Sequence, residues 1–126
     1  MSDIDALLIT PPSRLEVYQG LSNEYAAIEP PTWALLLAES CRSIGFKVCI
    51  IDANAENLSN NQVFKKINEL SPRIICLVVY GQNVNAGTAN MSGAVNITNF
   101  LKKNKISYPI AFVGSHVQAL PVETLK

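Results

Sequence analysis

The chain has 126 residues, of which 48% are hydrophobic and 16% are charged, a composition that fits one globular domain with a well-buried core. Ten basic residues balance ten acidic ones and neither sign forms a run, which argues against a nucleic-acid or anionic-membrane partner. The apolar runs are far shorter than the roughly 20 residues that span a bilayer and no leader opens the chain, so we expect a cytoplasmic protein.

The first predicted element is a strand at residues 5–10, and a long connection follows it. This connection, PPSRLEVYQGLSNEYAAIEPP, has about 20 residues where such connections usually take about two to six. A Pro pair stiffens each end, and the middle carries aromatic and amide side chains such as Tyr18, Gln19 and Tyr25. We interpret it as a functional loop, and a disordered insertion is the alternative.

A first helix is predicted between Pro31 and Gly45, residues typical of a helix start and a helix end. Its apolar face carries Ala34, Leu37, Cys41 and Ile44. A second strand at residues 47–52 ends at Asp52. We interpret that carboxylate as a solvated strand end or a capping group, in preference to a ligand contact.

A second helix is predicted at residues 60–70, with Ser59 or Asn60 as its N-cap and Pro72 just beyond its end. Its apolar stripe consists of Val63, Phe64, Ile67 and Leu70. A third strand follows at residues 74–80, and its run of β-branched residues predicts burial on both faces.

After the third strand comes the uncharged stretch YGQNVNAGTANMSGAVN. Its amide and hydroxyl groups suit a neutral polar ligand, and Gly81 and Gly87 allow the backbone to approach it closely. The alternative is an ordinary turn with Thr88 as the N-cap of the next helix. That third helix is predicted at residues 88–103, with Met91, Ala94, Val95, Thr98 and Leu101 on its apolar face.

The last predicted strand, at residues 110–114, leads into Gly114-Ser115-His116 and a helix that starts near Pro121. His116 is the only histidine, and no acid or cysteine lies near it in sequence, so a hydrolytic triad or a multi-histidine metal site is not indicated. It remains open whether His116 contacts a ligand or partner domain, packs within its loop, or acts in catalysis.

Three cysteines, Cys41, Cys49 and Cys76, form no C-x-x-C pair. Their odd number argues against a disulfide framework, and their spacing argues against an iron or zinc site. We interpret them as core thiols, and we predict neither catalytic residues nor metal ligands in this chain.

The alternation of strands and helices predicts an α/β fold: a doubly wound, flavodoxin-like parallel sheet of order 2-1-3-4. Residues 1–126 would form one domain, and the apparent lack of a fifth strand suggests a fragment of a longer enzyme. In such sheets ligands bind at the carboxyl ends of the strands, at the switch point between the first and third strands. The absence of G-x-G-x-x-G and G-x-x-x-x-G-K-[ST] loops disfavours dinucleotides and nucleoside triphosphates.

Three segments carry a family resemblance: LLITPPS, EPPTWALLLAESCRSIGFKVCIIDANAENLS and FVGSHVQALPVETL. With them the chain resembles the N-terminal cobalamin-binding domains of cobalamin-dependent radical S-adenosylmethionine enzymes over nearly its whole length. The third segment is the most specific, because family members often have Gly-Gly-Pro-His or a similar sequence followed by Leu-Pro and an acidic residue. Here Ser115 replaces the usual proline.

The resemblance implies that cobalamin lies against the carboxyl ends of the strands. Cobalamin domains of mutases carry D-x-H-x-x-G after the first strand, and this chain has no such motif, so the resemblance implies base-off binding without a histidine from that position. The expected cofactor contacts come from the loops after the first, third and fourth strands: Thr10, Pro11, Pro12, Ser13, Tyr18, Tyr80, Gly81, Gln82, Asn83, Asn85, Thr88, Gly114, Ser115 and His116.

Radical chemistry would need a C-x-x-x-C-x-x-C segment, which this chain lacks. The resemblance therefore implies that a C-terminal radical S-adenosylmethionine domain of the parent protein binds the iron–sulfur (4Fe-4S) cluster and S-adenosylmethionine and performs methyl transfer or cyclisation. Two alternatives stay open: a cofactor-free interaction domain that docks a catalytic partner, and an independent enzyme with acid–base residues around His116.

Overall fold

The computed structural model describes residues 4–11, 31–53, 55–79 and 84–114, with the backbone alone for residues 84–90. The elements in chain order are β1 (Ala6–Thr10), α1 (Thr32–Ser43), β2 (Val48–Asp52), α2 (Asn60–Leu70), β3 (Ile74–Val79), α3 (Val84–Lys103) and β4 (Ile110–Gly114). All strand pairs are parallel and the strand order is β2-β1-β3-β4. The predicted fold class and strand order are confirmed.

Helices cover both faces of the sheet, as a doubly wound fold requires. Helix α1 packs Ala34 and Ala38 against Leu8, Val48 and Val78 on one face. Helices α2 and α3 cover the other face. Their apolar side chains pack there against the strand side chains that point to this face, and together they form the larger of two buried clusters. Because successive side chains of a strand point to opposite faces, a sheet buried on both sides needs uninterrupted apolar strands, and β1 and β3 have them.

Helix α1 begins directly after Pro31 and its C-cap is Ile44. Gly45 follows with φ +94°, a left-handed conformation that favours glycine. The prediction that Ile44 lies on the buried face is wrong, because this residue stands past the last helical turn and is 72% exposed.

Helix α2 has the predicted bounds, and local hydrogen bonds explain why. Ser59 accepts a hydrogen bond from the backbone N–H of Gln62 at 3.2 Å, and the Gln62 side chain accepts one from the backbone N–H of Ser59 at 2.8 Å. This capping box satisfies two N–H groups at the helix start. At the other end Ser71 adopts φ +47° and donates its backbone N–H to the carbonyl of Ile67.

Helix α3 begins at Val84, one turn before the predicted start at residue 88. Thr88 therefore lies inside the helix, and its interpretation as an N-cap is wrong. The Asn- and Gly-rich stretch resembled a turn, yet a glycine within a helix, such as Gly87, costs only about 1 kcal/mol relative to alanine, and packing of the helix overrides so small a preference.

The buried face of α3 also differs from the predicted stripe. Met91, Ala94, Thr98 and Leu101 are buried as expected. Val95 is 44% exposed, whereas Ile97, which the predicted stripe omitted, is fully buried. Val95 lies about 100° around the helix from Ala94, and the sheet contacts the side that carries Ile97.

Charged groups join the amino ends of three strands. The Asp5 carboxylate accepts a hydrogen bond from the backbone N–H of Lys47 at 2.8 Å and lies 3.6 Å from the Arg73 guanidinium. Lys47 precedes β2 and Arg73 precedes β3. An exposed ion pair of this kind adds little stability. Its charges lie at the amino ends of the strands, whereas ligands bind at the carboxyl ends. No helix in the described ranges has the length and apolar character needed to cross a membrane.

Candidate functional site

The carboxyl ends of the four parallel strands form one edge of the sheet, which we call the carboxyl rim. It consists of Thr10 and Pro11 at β1, Asp52 at β2, Val79 at β3 and Gly114 at β4. Thr10 pairs with Asp52 and Val79 pairs with Gly114. The chain leaves β1 toward β2 and leaves β3 toward β4, so the switch point lies between β1 and β3. Thr10, Pro11 and Gly114, predicted site residues, all lie on this rim.

Thr10 and Pro11 form the β1 side of the switch point. The carbonyl of Thr10 accepts a hydrogen bond from the backbone N–H of Ala53 at 3.1 Å, which extends the β1–β2 pairing past Asp52. The Thr10 side chain is half-buried, and Pro11 is among the fully buried side chains. Since proline has no N–H to donate, the β1 ladder ends here, and the Pro11 ring packs inside the protein and is not exposed at the rim.

Gly114 forms the β4 side of the rim, and its backbone lies against Val79. A Cβ built on Gly114 would collide with the carbonyl oxygen of Val79 and come within 3.3 Å of the Val79 Cβ. Glycine is therefore required for the end of β4 to lie this close to the end of β3. Sequence reasoning assigned Gly114 to ligand contact and missed this packing role, which only the strand register reveals.

Asp52 holds the turn that follows β2. Its Oδ1 accepts a hydrogen bond from the backbone N–H of Ala55 at 3.0 Å, and its own carbonyl accepts one from the N–H of Glu56 at 3.0 Å. The carboxylate thus shapes the connection to α2, in agreement with its interpretation as a capping group.

Three helices point their amino ends at the carboxyl rim, because each of α1, α2 and α3 follows a strand that ends there. None of the three has an acidic residue in its first turn. The partial positive charge of these helix ends is therefore not offset by carboxylates of the first turn. Asn85 and Thr88 lie in the first two turns of α3, and only their backbone is described.

The other predicted contacts lie outside the described residues. These are Pro12, Ser13, Tyr18, Tyr80, Gly81, Gln82, Asn83, Ser115 and His116. The long connection at residues 12–30 and the helix expected near Pro121 also lie there. Their assignment to the site remains a prediction.

The cysteines have the environment of core thiols. Cys41, Cys49 and Cys76 are free and half-buried, and Cys41 and Cys76 adjoin the apolar cluster under α1. Burial, together with the charge of Cys41, raises the pKa of Cys76 to about 11. A thiol with so high a pKa stays protonated at neutral pH and is a poor metal ligand. Across the described ranges, no three His, Cys, Asp or Glu side chains come together as a metal site would need.

The rim is chemically suited to a large uncharged ligand. Thr10, Pro11, Val79 and Gly114 of the rim are not ionisable. Asp52, which pairs with Thr10, is the one ionisable residue among the described rim residues, and its carboxylate accepts the N–H of Ala55 in the turn after β2. A corrin ring carries neutral amide arms, which need hydrogen-bond partners and apolar surface and no counter-charge. These residues fit such a group: Thr10 offers a half-buried hydroxyl, and the buried Pro11, Val79 and Gly114 hold the strand ends beneath it.

Comparison with known proteins identifies a family but no close relative. Residues 18–126 match the B12 binding domain, a span that includes α1, the last three strands and the other two helices. Neither a curated protein nor a solved structure gives a significant match. Because the matched span covers most of the sequence and the sheet has the doubly wound order, the chain belongs to the B12-binding domain family.

Proposed function

We propose that the chain is a cobalamin-binding module that holds the corrin against the carboxyl rim. The observation that carries the proposal is the lack of ionisable residues at the described ends of β1 and β3, which flank the switch point, in a chain whose residues 18–126 match the B12 binding domain. In doubly wound sheets this crevice is the place where ligands bind. Bound cobalamin would supply a cobalt centre able to carry a methyl group or to assist radical chemistry.

Three described residues have distinct roles in this proposal. The Thr10 hydroxyl donates or accepts a hydrogen bond with a corrin amide. Pro11, whose ring is fully buried, fixes the backbone at the point where β1 ends. Gly114 lets the end of β4 lie against the end of β3, so that no side chain separates the two strand ends. The uncharged residues after β3, from Tyr80 to Thr88, would supply further neutral contacts.

The cobalt would receive no histidine from the loop after β1. That loop begins Pro11-Pro12-Ser13 and contains no D-x-H-x-x-G motif, and the only histidine, His116, follows β4. We therefore propose base-off binding without this ligand. Electron paramagnetic resonance of the Co(II) form tests it: the spectrum should lack splitting from a coordinated nitrogen, and His116→Ala should leave it unchanged. A nitrogen splitting that disappears in His116→Ala would contradict the proposal.

The catalytic partner would be a radical S-adenosylmethionine domain in the same parent protein. Two features of the sequence support this proposal. The three quoted segments resemble the cobalamin-binding domains of radical S-adenosylmethionine enzymes, and this chain lacks a cluster-binding cysteine triplet. The chain alone would then bind and orient the cofactor, and the partner domain, with its iron–sulfur cluster and S-adenosylmethionine, would perform the reaction. A downstream C-x-x-x-C-x-x-C segment in the same reading frame would establish the class.

The decisive experiment is reconstitution with hydroxocobalamin followed by removal of free cofactor. A corrin absorption spectrum should stay with the protein at one cofactor per chain. Thr10→Val, which keeps the side-chain shape and removes the rim hydroxyl, should weaken retention. The matched control is Thr98→Val, because the Thr98 hydroxyl donates to the carbonyl of Ala94 at 2.8 Å inside α3 and lies away from the strand ends. Protein that stays colourless after reconstitution, both in the presence and in the absence of air, would favour the alternative that the chain is a cofactor-free interaction domain.

A further inference from the structure

The amino ends of the strands form the edge of the sheet opposite to the carboxyl rim, and we call this edge the amino rim. The carboxyl ends of the three described helices also lie there, because each helix precedes a strand. Backbone hydrogen bonds join the connections at this rim: the N–H of Arg73 donates to the carbonyl of Ile4 at 3.0 Å, and the N–H of Ile75 donates to that of Pro109 at 2.9 Å. Residues that are far apart in the sequence therefore come together at one end of the domain.

Basic residues concentrate at the amino rim, although the whole chain has ten basic and ten acidic residues. The described basic residues at this rim are all exposed, and they are Arg42, Lys47, Arg73, Lys102, Lys103 and Lys105. The described acidic residues there are Asp5 and Glu69, and Asp5 lies 3.6 Å from Arg73. Near the carboxyl rim the described charged residues, Asp52 and Glu56, are acidic. The fold thus gives one end of a neutral chain a positive potential, which no run of charge in the sequence indicates.

Helix dipoles explain only part of this distribution of charge. Arg42, Lys102 and Lys103 lie in the last turns of α1 and α3, where the partial negative charge of a helix end favours cations. Lys47 and Arg73 lie beyond the helix ends, directly before β2 and β3, and the dipole effect falls off outside the last turn. These two exposed cations therefore need another explanation.

Exposed apolar side chains accompany the basic residues on the α1 side of the sheet. Ile44 and Phe46 lie in the connection from α1 to β2, Ile74 begins β3, and all three are exposed. Ile74 pairs with Ala6, which contacts the cluster under α1, so Ile74 faces the same side of the sheet as α1. Phe46 and Ile74 each adjoin a basic residue in the sequence. Apolar side chains within a polar surround are typical of protein–protein interfaces.

We propose that the amino rim docks an acidic surface of a partner protein that also carries apolar side chains. The partner's carboxylates would pair with the basic residues of the rim, and its apolar groups would cover Ile44, Phe46 and Ile74. A protein suits this surface better than a nucleic acid, because Ile44 and Ile74 are aliphatic and offer no aromatic face to a base. The partner would bind at the end opposite to the carboxyl rim, so the inference does not depend on cobalamin binding.

Fluorescence anisotropy of the purified chain with a labelled synthetic peptide of alternating glutamate and leucine tests the inference. The peptide should bind, and its affinity should fall about fivefold or more between about 0.05 and 0.3 M salt, because salt screens exposed charges. Lys47→Glu should weaken binding about fivefold, since it places a like charge opposite the peptide. The matched control is Lys65→Glu, which makes the same charge change at an exposed position in the middle of α2 and should bind like the wild type.

Further comparisons separate the sources of binding. Ile44→Ser removes an exposed apolar side chain and should weaken binding about threefold, whereas Val95→Ser, at an exposed position in the middle of α3, should leave it unchanged. A peptide with glutamine in place of glutamate, and a single-stranded DNA of the same charge as the acidic peptide, should both bind more weakly. The inference would be overturned by absence of binding, by equal losses in Lys47→Glu and Lys65→Glu, by no loss in Ile44→Ser, or by a glutamine peptide or DNA that binds as tightly as the acidic peptide.

Discussion

The backbone of Gly114 lies against the carbonyl group of Val79, so closely that no side chain fits between the two strand ends. The contact joins the last residues of β3 and β4, which form a register pair. Both residues are buried. The close approach of the ends of β3 and β4 therefore depends on a residue that has no Cβ.

Gly114→Ala should displace the end of β4 and weaken both stability and cobalamin binding. Steric overpacking of this kind typically costs about 1–3 kcal/mol, measurable by urea denaturation. If the corrin lies on the rim, its affinity should fall about tenfold or more, which corresponds to about 1.4 kcal/mol, as read from titration of the absorption spectrum.

Gly45→Ala is the matched control for Gly114→Ala. Gly45 has φ +94°, and a Cβ there would meet nothing within 4 Å, so the substitution costs about 1 kcal/mol through backbone strain alone. It lies in the turn before β2, at the amino end of the sheet. Stability should fall while cobalamin affinity stays at the wild-type level. Equal affinity losses in the two variants would argue against a role of Gly114 at the rim.

The sequence predicts the elements whose limits depend on local chemistry. Ser59 with Gln62 specifies the start of α2, Pro31 and Gly45 bracket α1, and the apolar runs specify four buried strands. The strand order follows because right-handed crossovers leave few topologies. Local signals fail at the start of α3, where an Asn- and Gly-rich stretch is helical from Val84 onward.

The site is predicted less completely than the fold. Parallel strands bring Thr10 and Gly114 to the same rim whatever their side chains are, so the location of the candidate site follows from topology. The role of a single residue there depends on its neighbours from distant parts of the chain. Gly114 illustrates this, because its contact with Val79 needs the β3–β4 register, and no feature of either sequence segment encodes that distance.

Ile97→Ala and Val95→Ala test which face of α3 supports the core. Ile97 is fully buried, whereas Val95 is 44% exposed. Truncation of a buried isoleucine to alanine costs about 2–5 kcal/mol, and a half-exposed valine should cost no more than about 1 kcal/mol. Denaturant unfolding of both variants provides the comparison. A larger loss for Val95→Ala would mean that α3 is rotated on the sheet.

The capping box of α2 should contribute measurably to stability. Ser59→Ala removes the acceptor for the backbone N–H of Gln62, and loss of such a cap costs about 1 kcal/mol. Ser59→Asp keeps an oxygen acceptor and adds a favourable charge at the helix start, so it should retain nearly the wild-type midpoint in urea. If Ser59→Asp is as unstable as Ser59→Ala, the hydrogen bond is not the source of the effect.

Cys76 should make the chain less stable in alkaline solution. Burial raises the pKa of its thiol from the ordinary value of 9.0 to about 11, with the charge of Cys41 as a second cause. Below pH 9 the thiol is protonated in both states and stability is unaffected. Between pH 9 and about 11 the unfolded chain loses this proton while the folded chain keeps it, so the free energy of unfolding falls as pH rises.

Urea unfolding of wild type and Cys76→Val from pH 7 to about pH 11 measures this contribution. Cys76→Val fills similar space without a titrating group, so its stability should fall less steeply above pH 9. Val78→Ala is the matched control, because it opens a cavity on the same strand and face and removes no thiol. It should lower stability by a similar amount at every pH. A Cys76→Val curve parallel to that of the wild type would show that burial does not raise the Cys76 pKa.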